Sequence, residues 1–152
     1  MPDPLDATLA MLASVTASLS EPWWLIGSAA ARLHGVTVEP IGDVDVLLGA
    51  ADADRVFATL GLPLVAGSNH PTFRSRRFGR WTRPPLVVEF MAGFEHRSGG
   101  IWQPVLPSSR TRIDRPGGPI FMPDRNELIA ILRRFDRPKD RKRADALKRL
   151  PA

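Results

Sequence analysis

At 152 residues, 43% of them hydrophobic and 24% charged, the chain has the size and composition of one globular domain over residues 1–152, not of a disordered tail or a solenoid. The absence of cysteine excludes disulfides, thiolate catalysis and cysteine-ligated zinc, and three scattered histidines, His34, His70 and His96, lack the spacing of a histidine metal centre. The net charge of +5 conceals a split: residues 1–60 hold eight acids against two arginines, and residues 61–152 hold nineteen bases against eight acids, which suits either a carboxylate cluster facing a basic rim or ordinary charges on solvated faces.

Met1-Pro2-Asp3-Pro4 lacks the basic region of a signal peptide, and small or polar residues interrupt every apolar stretch, so a cytoplasmic protein without membrane contact is expected. Asp3 as N-cap, Pro4 at the first helical position and Leu5, Leu9, Leu12, Val15 and Leu19 at helical spacing predict a first helix. Glu21-Pro22 breaks it. Trp23-Trp24-Leu25-Ile26 reads as a short buried strand, with the two tryptophans as core anchors, and Ser28 as the cap of a helix that Gly35 ends. Asp43 to Leu48 reads as a second strand and Asp52 to Leu60 as a helix stopped by Gly61. Thr72–Trp81 and Leu86–Met91 form a predicted antiparallel pair joined through Arg83-Pro84-Pro85. Residues 93–120, rich in glycine and proline, read as loops with one or two short strands around Trp102 and Ile113. Asp124-Arg125-Asn126-Glu127 has the spacing of a capping box, with Leu128, Ile131, Leu132 and Phe135 on one face of the helix that follows. Pro138 separates this from a strongly basic last helix.

Alternation along a strand puts Asp43 and Asp45 on one face and Val44, Val46 and Leu48 on the other. Like charges this close call for solvation, protonation or a cation, and a hard divalent ion such as magnesium resolves the conflict. An Asp-x-Asp alone also suits a strand start with one turn residue and one solvated side chain. Glu89 stands in the apolar run Leu86-Val87-Val88-Glu89-Phe90-Met91, where a charge needs a partner. If its strand lies beside that of Asp43, three carboxylates form a cluster able to hold two metals for phosphoryl chemistry; otherwise Glu89 is an edge residue paired with Arg74 or Arg76. Gly27-Ser28 joins a strand to a helix N-terminus, where a hydroxyl and free N–H groups suit phosphate as well as an ordinary cap. Arg74, Arg76, Arg77 and Arg80 suit either a triphosphate or RNA backbone, or a charged strand protected from aggregation. Lys139, Arg141, Lys142 and Arg143 read as a solvated helix face.

Leu25-Ile26-Gly27-Ser28, Asp43-Val44-Asp45-Val46 and Val88-Glu89-Phe90 together resemble the nucleotidyltransferase superfamily, which includes DNA polymerase β and small antibiotic-modifying and toxin-associated enzymes. Pro123 to Ala130 and Arg137-Pro138-Lys139-Asp140 look like the closing helices of its small bacterial members, although the Ser28-to-Asp43 connection, with Val38-Glu39-Pro40-Ile41-Gly42, is longer than the compact pattern. The resemblance implies an α/β (α+β) fold, a small mixed sheet with helices packed on one face and C-terminal helices. It further implies magnesium on Asp43 and Asp45, Glu89 completing the metal site or activating the acceptor, and the phosphates of an NTP held by Gly27 and Ser28, with Arg74 and Arg76 as further candidates. The expected activity is transfer of a nucleoside monophosphate to a hydroxyl or phosphate of a small molecule, protein or RNA, with release of pyrophosphate. The rival expectation is a non-catalytic nucleotide- or partner-binding module, as in a toxin and antitoxin pair. The short chain leaves room for a homodimer or an antitoxin partner to complete the acceptor site.

Overall fold

A computed structural model describes residues 3–37, 40–63, 65–67 and 70–152; Met1 and Pro2, and Val38 and Glu39 of the long connection, lie outside the described residues. Helix α1 (Pro4–Thr16) starts where proline cannot donate a hydrogen bond, and Asp3 accepts from the Leu5 N–H at 2.9 Å. Its Leu5, Leu9, Leu12 and Ala13 are buried. Strand β1 (Trp24–Ile26) passes directly into α2 (Gly27–His34), which Gly35 ends in the left-handed conformation. Trp23 is buried edge-on to Phe121, while the Trp24 indole N–H donates to the Ser109 carbonyl at 2.9 Å.

Strand β2 (Asp43–Leu48) leads to α3 (Ala50–Leu60), which begins two residues before the expected start. Asp52 is therefore inside the first turn and does not cap it. Its buried carboxylate accepts the N–H groups of Ser20 and Glu21 at 3.1 and 2.9 Å and pairs with Arg55, contacts that hold it below the usual aspartate range against its own burial. The short β3 (Val65–Gly67) precedes β4 (Phe73–Trp81) and β5 (Val87–Ala92), which pair antiparallel as the sequence suggests.

Residues 93–120 hold more structure than expected, with four strands: β6 (Glu95–Ser98), β7 (Ile101–Pro104), β8 (Thr111–Arg115) and β9 (Gly118–Met122). The glycines that read as loop are the turns of two hairpins. Gly99 and Gly100 take φ of 59° and 79° between β6 and β7, and Gly117 takes 101° between β8 and β9. Helices α4 (Arg125–Phe135) and α5 (Pro138–Lys148) close the chain. No capping box forms at α4, because Asp124 accepts from the Thr111 hydroxyl and Glu127 accepts from the N–H groups of Ser108 and Ser109. Among the described residues no helix is long and apolar enough to cross a membrane.

The main sheet runs β1-β2-β5-β4-β6-β7, with β3 pairing β4, and β8-β9 form a separate ribbon. Among the described residues only β2 and β5 pair in parallel, so the sheet is mixed. Val44, Val46, Val88 and Phe90 are fully buried on one face in a core shared with α1, α2 and α3. A second apolar cluster on the opposite face joins Ile26, Leu47 and Met91 to Ile131 and Phe135 of α4. Strand β4 carries a bulge: Gly67 faces Ser75 and Val65 faces Phe78, so two residues of β3 span three of β4.

Asp52→Ala should lower stability at neutral pH by about 1–3 kcal/mol, by leaving two backbone donors without their acceptor, as read from urea unfolding. Because the folded carboxylate sits below the ordinary aspartate pKa, its contribution is present above about 3.9 and fades as the pH falls through the lower folded value. Wild type and variant should converge in acid.

Candidate active site

Apolar burial on one face of β2 forces Asp43 and Asp45 onto the other, and the parallel ladder with β5 sets Asp45 directly against Glu89. The three carboxylates line one cleft of about 380 Å³ together with Gly27 and Ser28. Asp45 is half-buried, and burial, then Glu89, then Asp43 push its carboxyl up to about 7, against weaker opposition from Arg137 and Lys139. Burial and the neighbouring Asp43 raise the Glu89 carboxyl, while Arg80 pulls the other way from 3.6 Å. The sequence alternatives for a Glu89 partner, Arg74 or Arg76, are therefore replaced by Arg80, which stands opposite it in the β4–β5 register.

Ser28 is the second residue of α2, so the helix is capped at Ile26, two residues earlier than the sequence suggests, with no side-chain cap bond. Ile26 offers no side chain to cap the first-turn N–H groups, and Gly27 and Ser28 of that turn line the cleft. Gly27 permits this junction. Its φ is +70°, and a Cβ there would stand 3.1 Å from Asp45 Oδ2, so the turn and the carboxylate occupy space that only glycine leaves free.

Across the cleft stand residues that the sequence reading left on a solvated face. Lys139 and Arg143, four apart on α5, line it with Arg137, whose guanidinium is held by two bonds to the buried Asp140 at 2.6 and 3.1 Å. Their i,i+4 spacing was the available signal, since such residues share a helix face. Among the described residues neither Lys139 nor Arg143 has an ion-pair or hydrogen-bond partner. Arg141, on another face, turns back to Asp136, which closes α4 at φ 57°. Phe73, Phe78, Met91, Phe94 and Phe135 supply an apolar floor.

The four β4 arginines separate. Arg74 reaches the cleft but is paired with Glu95 at 2.7 Å and lies over Trp102, Arg77 pairs with Asp54 at 2.9 Å, and Arg80 turns to Glu89. Arg76 does not meet the acids: the bulge turns Ser75 into the cleft, and the Arg76 stem lies on Gly93 beside a second hollow. The expectation for Arg76 is corrected accordingly.

No family model matches the sequence, and no curated protein does. Solved structures do match its shape. TM1012 of Thermotoga maritima, assigned as a nucleotidyltransferase, superposes with a TM-score of 0.68 at 20% identity, over 92% of this chain and 88% of that one. The chain has the nucleotidyltransferase fold. The lincomycin-bound lincosamide antibiotic adenylyltransferase LnuA gives a TM-score of 0.62 at 11% identity over 95% and 96% of the two chains. A nucleotidyltransferase-like antigenic protein of Paracoccidioides brasiliensis gives 0.54 at 16% identity over 96% of this chain and 73% of that one.

A nucleotidyltransferase fold raises the question of a divalent metal. The donors are oxygens only, they face one cleft, and burial followed by their mutual repulsion raises the carboxyls of Asp45 and Glu89; all three points fit a hard cation. Among the described residues no three such side chains close around an ion position.

In metal-free buffer, Asp45→Asn should melt several degrees above wild type at pH 8, with the gap closing toward pH 4. The sign follows from the raised carboxyl: the folded protein is favoured while Asp45 is protonated and loses stability as pH climbs from its ordinary value near 3.8 through about 7, a loss that asparagine does not suffer. Thermal unfolding in chelator at several pH values reads this directly.

Proposed function

We propose that the protein transfers a nucleoside monophosphate from an NTP to a hydroxyl of a small-molecule acceptor and releases pyrophosphate. The observation that carries this reading is the opposition, within a nucleotidyltransferase fold, of three converging carboxylates to two uncommitted cations across one cleft that also receives a helix N-terminus. Such a site suits a polyanion bridged by a divalent cation.

Asp43 and Asp45, with Glu89 completing the set, would hold magnesium, which when bound supplies charge neutralisation at the phosphates. Ser28 and the first-turn N–H groups of α2 bind phosphate oxygens, and Lys139 and Arg143 bind them from the opposite wall. Arg137 is kept in position by Asp140. The acceptor oxygen attacks the α-phosphorus, a new P–O bond forms, the bond to the β-phosphate oxygen breaks, and pyrophosphate leaves. The acceptor proton passes to Glu89, which stands opposite Asp45 in the β2–β5 ladder. The likeness to LnuA, a lincosamide antibiotic adenylyltransferase aligned over 96% of its length, supports a small acceptor. A protein or RNA acceptor remains the other outcome of the test.

Incubation with each α-labelled NTP, magnesium and a fractionated cell extract should label a small-molecule fraction. Asp43→Asn and Asp45→Asn should each abolish labelling while the folded fraction is unchanged, and Lys139→Ala should raise the KM for NTP about tenfold, the loss of one charge-assisted phosphate contact. Absence of label with all four NTPs, from protein shown to be folded and to contain bound metal, would sink the reading; label confined to RNA or protein would replace the acceptor class.

A further inference from the structure

Strand alternation on β6 turns Glu95 and Arg97 to one face of the sheet and His96 to the other, where the antiparallel registers set it against Phe73 of β4 and Gln103 of β7. His96 is only 4% exposed, and its Nδ1 has no hydrogen-bond partner among the described residues. What packs on it is the junction between α4 and α5. The imidazole stands 5.1 Å from the ring of Phe73 and 5.2 Å from that of Phe135, the last residue of α4, and those two rings meet edge-on at 5.0 Å. Arg137 lies over the same pair, 4.9 Å from the Phe73 centroid and 5.9 Å from that of Phe135. His96, Phe73 and Phe135 together seat the residue from which α5 starts.

Two guanidiniums are fixed beside this seat. Arg134 of α4 donates to the carbonyls of Gln103 and Pro104 at 2.8 and 2.9 Å, on the strand that flanks His96, and Arg137 is held by Asp140 of α5. The other charged groups nearby are engaged elsewhere: Arg74 of β4 with Glu95, and Asp136 with Arg141, while the exposed His70 rests on the Phe73 ring at 5.0 Å. Burial, then Arg134, then Arg137 hold the His96 imidazole below the ordinary histidine range, with Asp140 opposing. A neutral ring fits this place and a cation does not. The junction has little else to rely on, since Asp136 turns the chain in the left-handed region at φ 57° and α5 has only Ala144 and Leu147 as buried apolar anchors.

We infer that His96 is a positioning residue of the basic wall, which holds Lys139 and Arg143 over the cleft only while its own ring is neutral. The inference rests on the nucleotidyl-transfer reading for the wall's task of binding phosphate, and on the junction alone for the switch. Protonation sets another cation beside Arg134 and Arg137 in a desolvated place. The ring leaves for water, Phe135 and Arg137 lose their support, and the start of α5 moves off the acids. Because the folded ring sits below the ordinary histidine value of 6.5, the closed junction is favoured above that value and gives way as the pH falls below it.

Hydrogen exchange on the full chain without nucleotide tests the switch, with protection corrected for the intrinsic effect of pH. The amides to follow are those of Arg137 and Arg141, which donate to Asp140 at 3.3 Å and to the Arg137 carbonyl at 2.9 Å. In wild type their protection should fall about tenfold from pH 7.5 to 5.5, the change one linked proton gives, while α1 keeps its own. The fall should track protonation of the His96 ring followed by NMR. His96→Ala, which empties the seat, should lower protection at both pH values. His96→Phe, a ring that takes no proton, and His96→Leu should each hold protection constant within about twofold. The KM for NTP, as the ratio of wild type to either of these two variants so that titration of the shared acids cancels, should rise about tenfold over the same interval with the kcat ratio unchanged. His96 protonation without loss of protection in wild type, or an equal loss in His96→Phe and His96→Leu, overturns the inference, and so does a flat KM ratio across a working switch. A switch in protection by a chain that turns over no NTP fails the transfer reading instead, so the two failures are distinguishable.

Discussion

The parity of β2 and β5 is the constraint on which the rest of this molecule depends. Val44, Val46, Val88 and Phe90 must all face the core, and the same alternation leaves Asp43, Asp45 and Glu89 no choice but to share the opposite face. Burial of the apolar set fixes the register, and the register brings Asp45 opposite Glu89. A slip of one residue would exchange the two sets entirely. The crowding of acids in the cleft is thus a by-product of apolar packing on the other face of the same two strands.

The basic side of the cleft is held by a different means. Helix α5 has little apolar surface of its own, with Ala144 and Leu147 as its buried anchors. What fixes its start is polar: buried Asp140 takes the Arg137 backbone N–H at 3.3 Å and its guanidinium in two bonds, while that guanidinium also lies over the ring of Phe73, 4.9 Å from its centroid. One arginine thereby ties α5 to β4 and sets the angle at which Lys139 and Arg143 meet the acids. The acidic wall is placed by hydrophobic burial and the basic wall by a hydrogen-bonded charge pair.

Much of this was legible in the sequence because the signals were local. Asp3-Pro4, the Gly35 and Gly61 stops, the β2 alternation and the lone acid of β5 each carry their reason within a few residues, and each led to the correct element. What escaped depended on partners distant in sequence. Asp52 looks like a helix start and Glu127 like a capping-box residue by spacing, but Ser20, Glu21, Ser108 and Ser109 claim them. Residues 93–120 looked like loop since glycine marks both irregular chain and tight hairpins, and only pairing tells them apart. Lys139 and Arg143 lay in a run of bases whose composition gave no hint that one helical face of it meets the carboxylates.

The bulge in β4 has an evolutionary corollary. Phe73 and Ser75 reach the cleft on one phase of the strand and Phe78 and Arg80 reach the same sheet face on the other, with a single supernumerary residue reconciling them. Deleting that residue would rotate every side chain on one side of it by half a turn while leaving the acids untouched. In a lineage of such proteins, ligand preference can then change by an insertion or deletion of one codon in β4, without substitution of any residue at the reaction centre, and position-by-position comparison of β4 between relatives would misread which residues are equivalent.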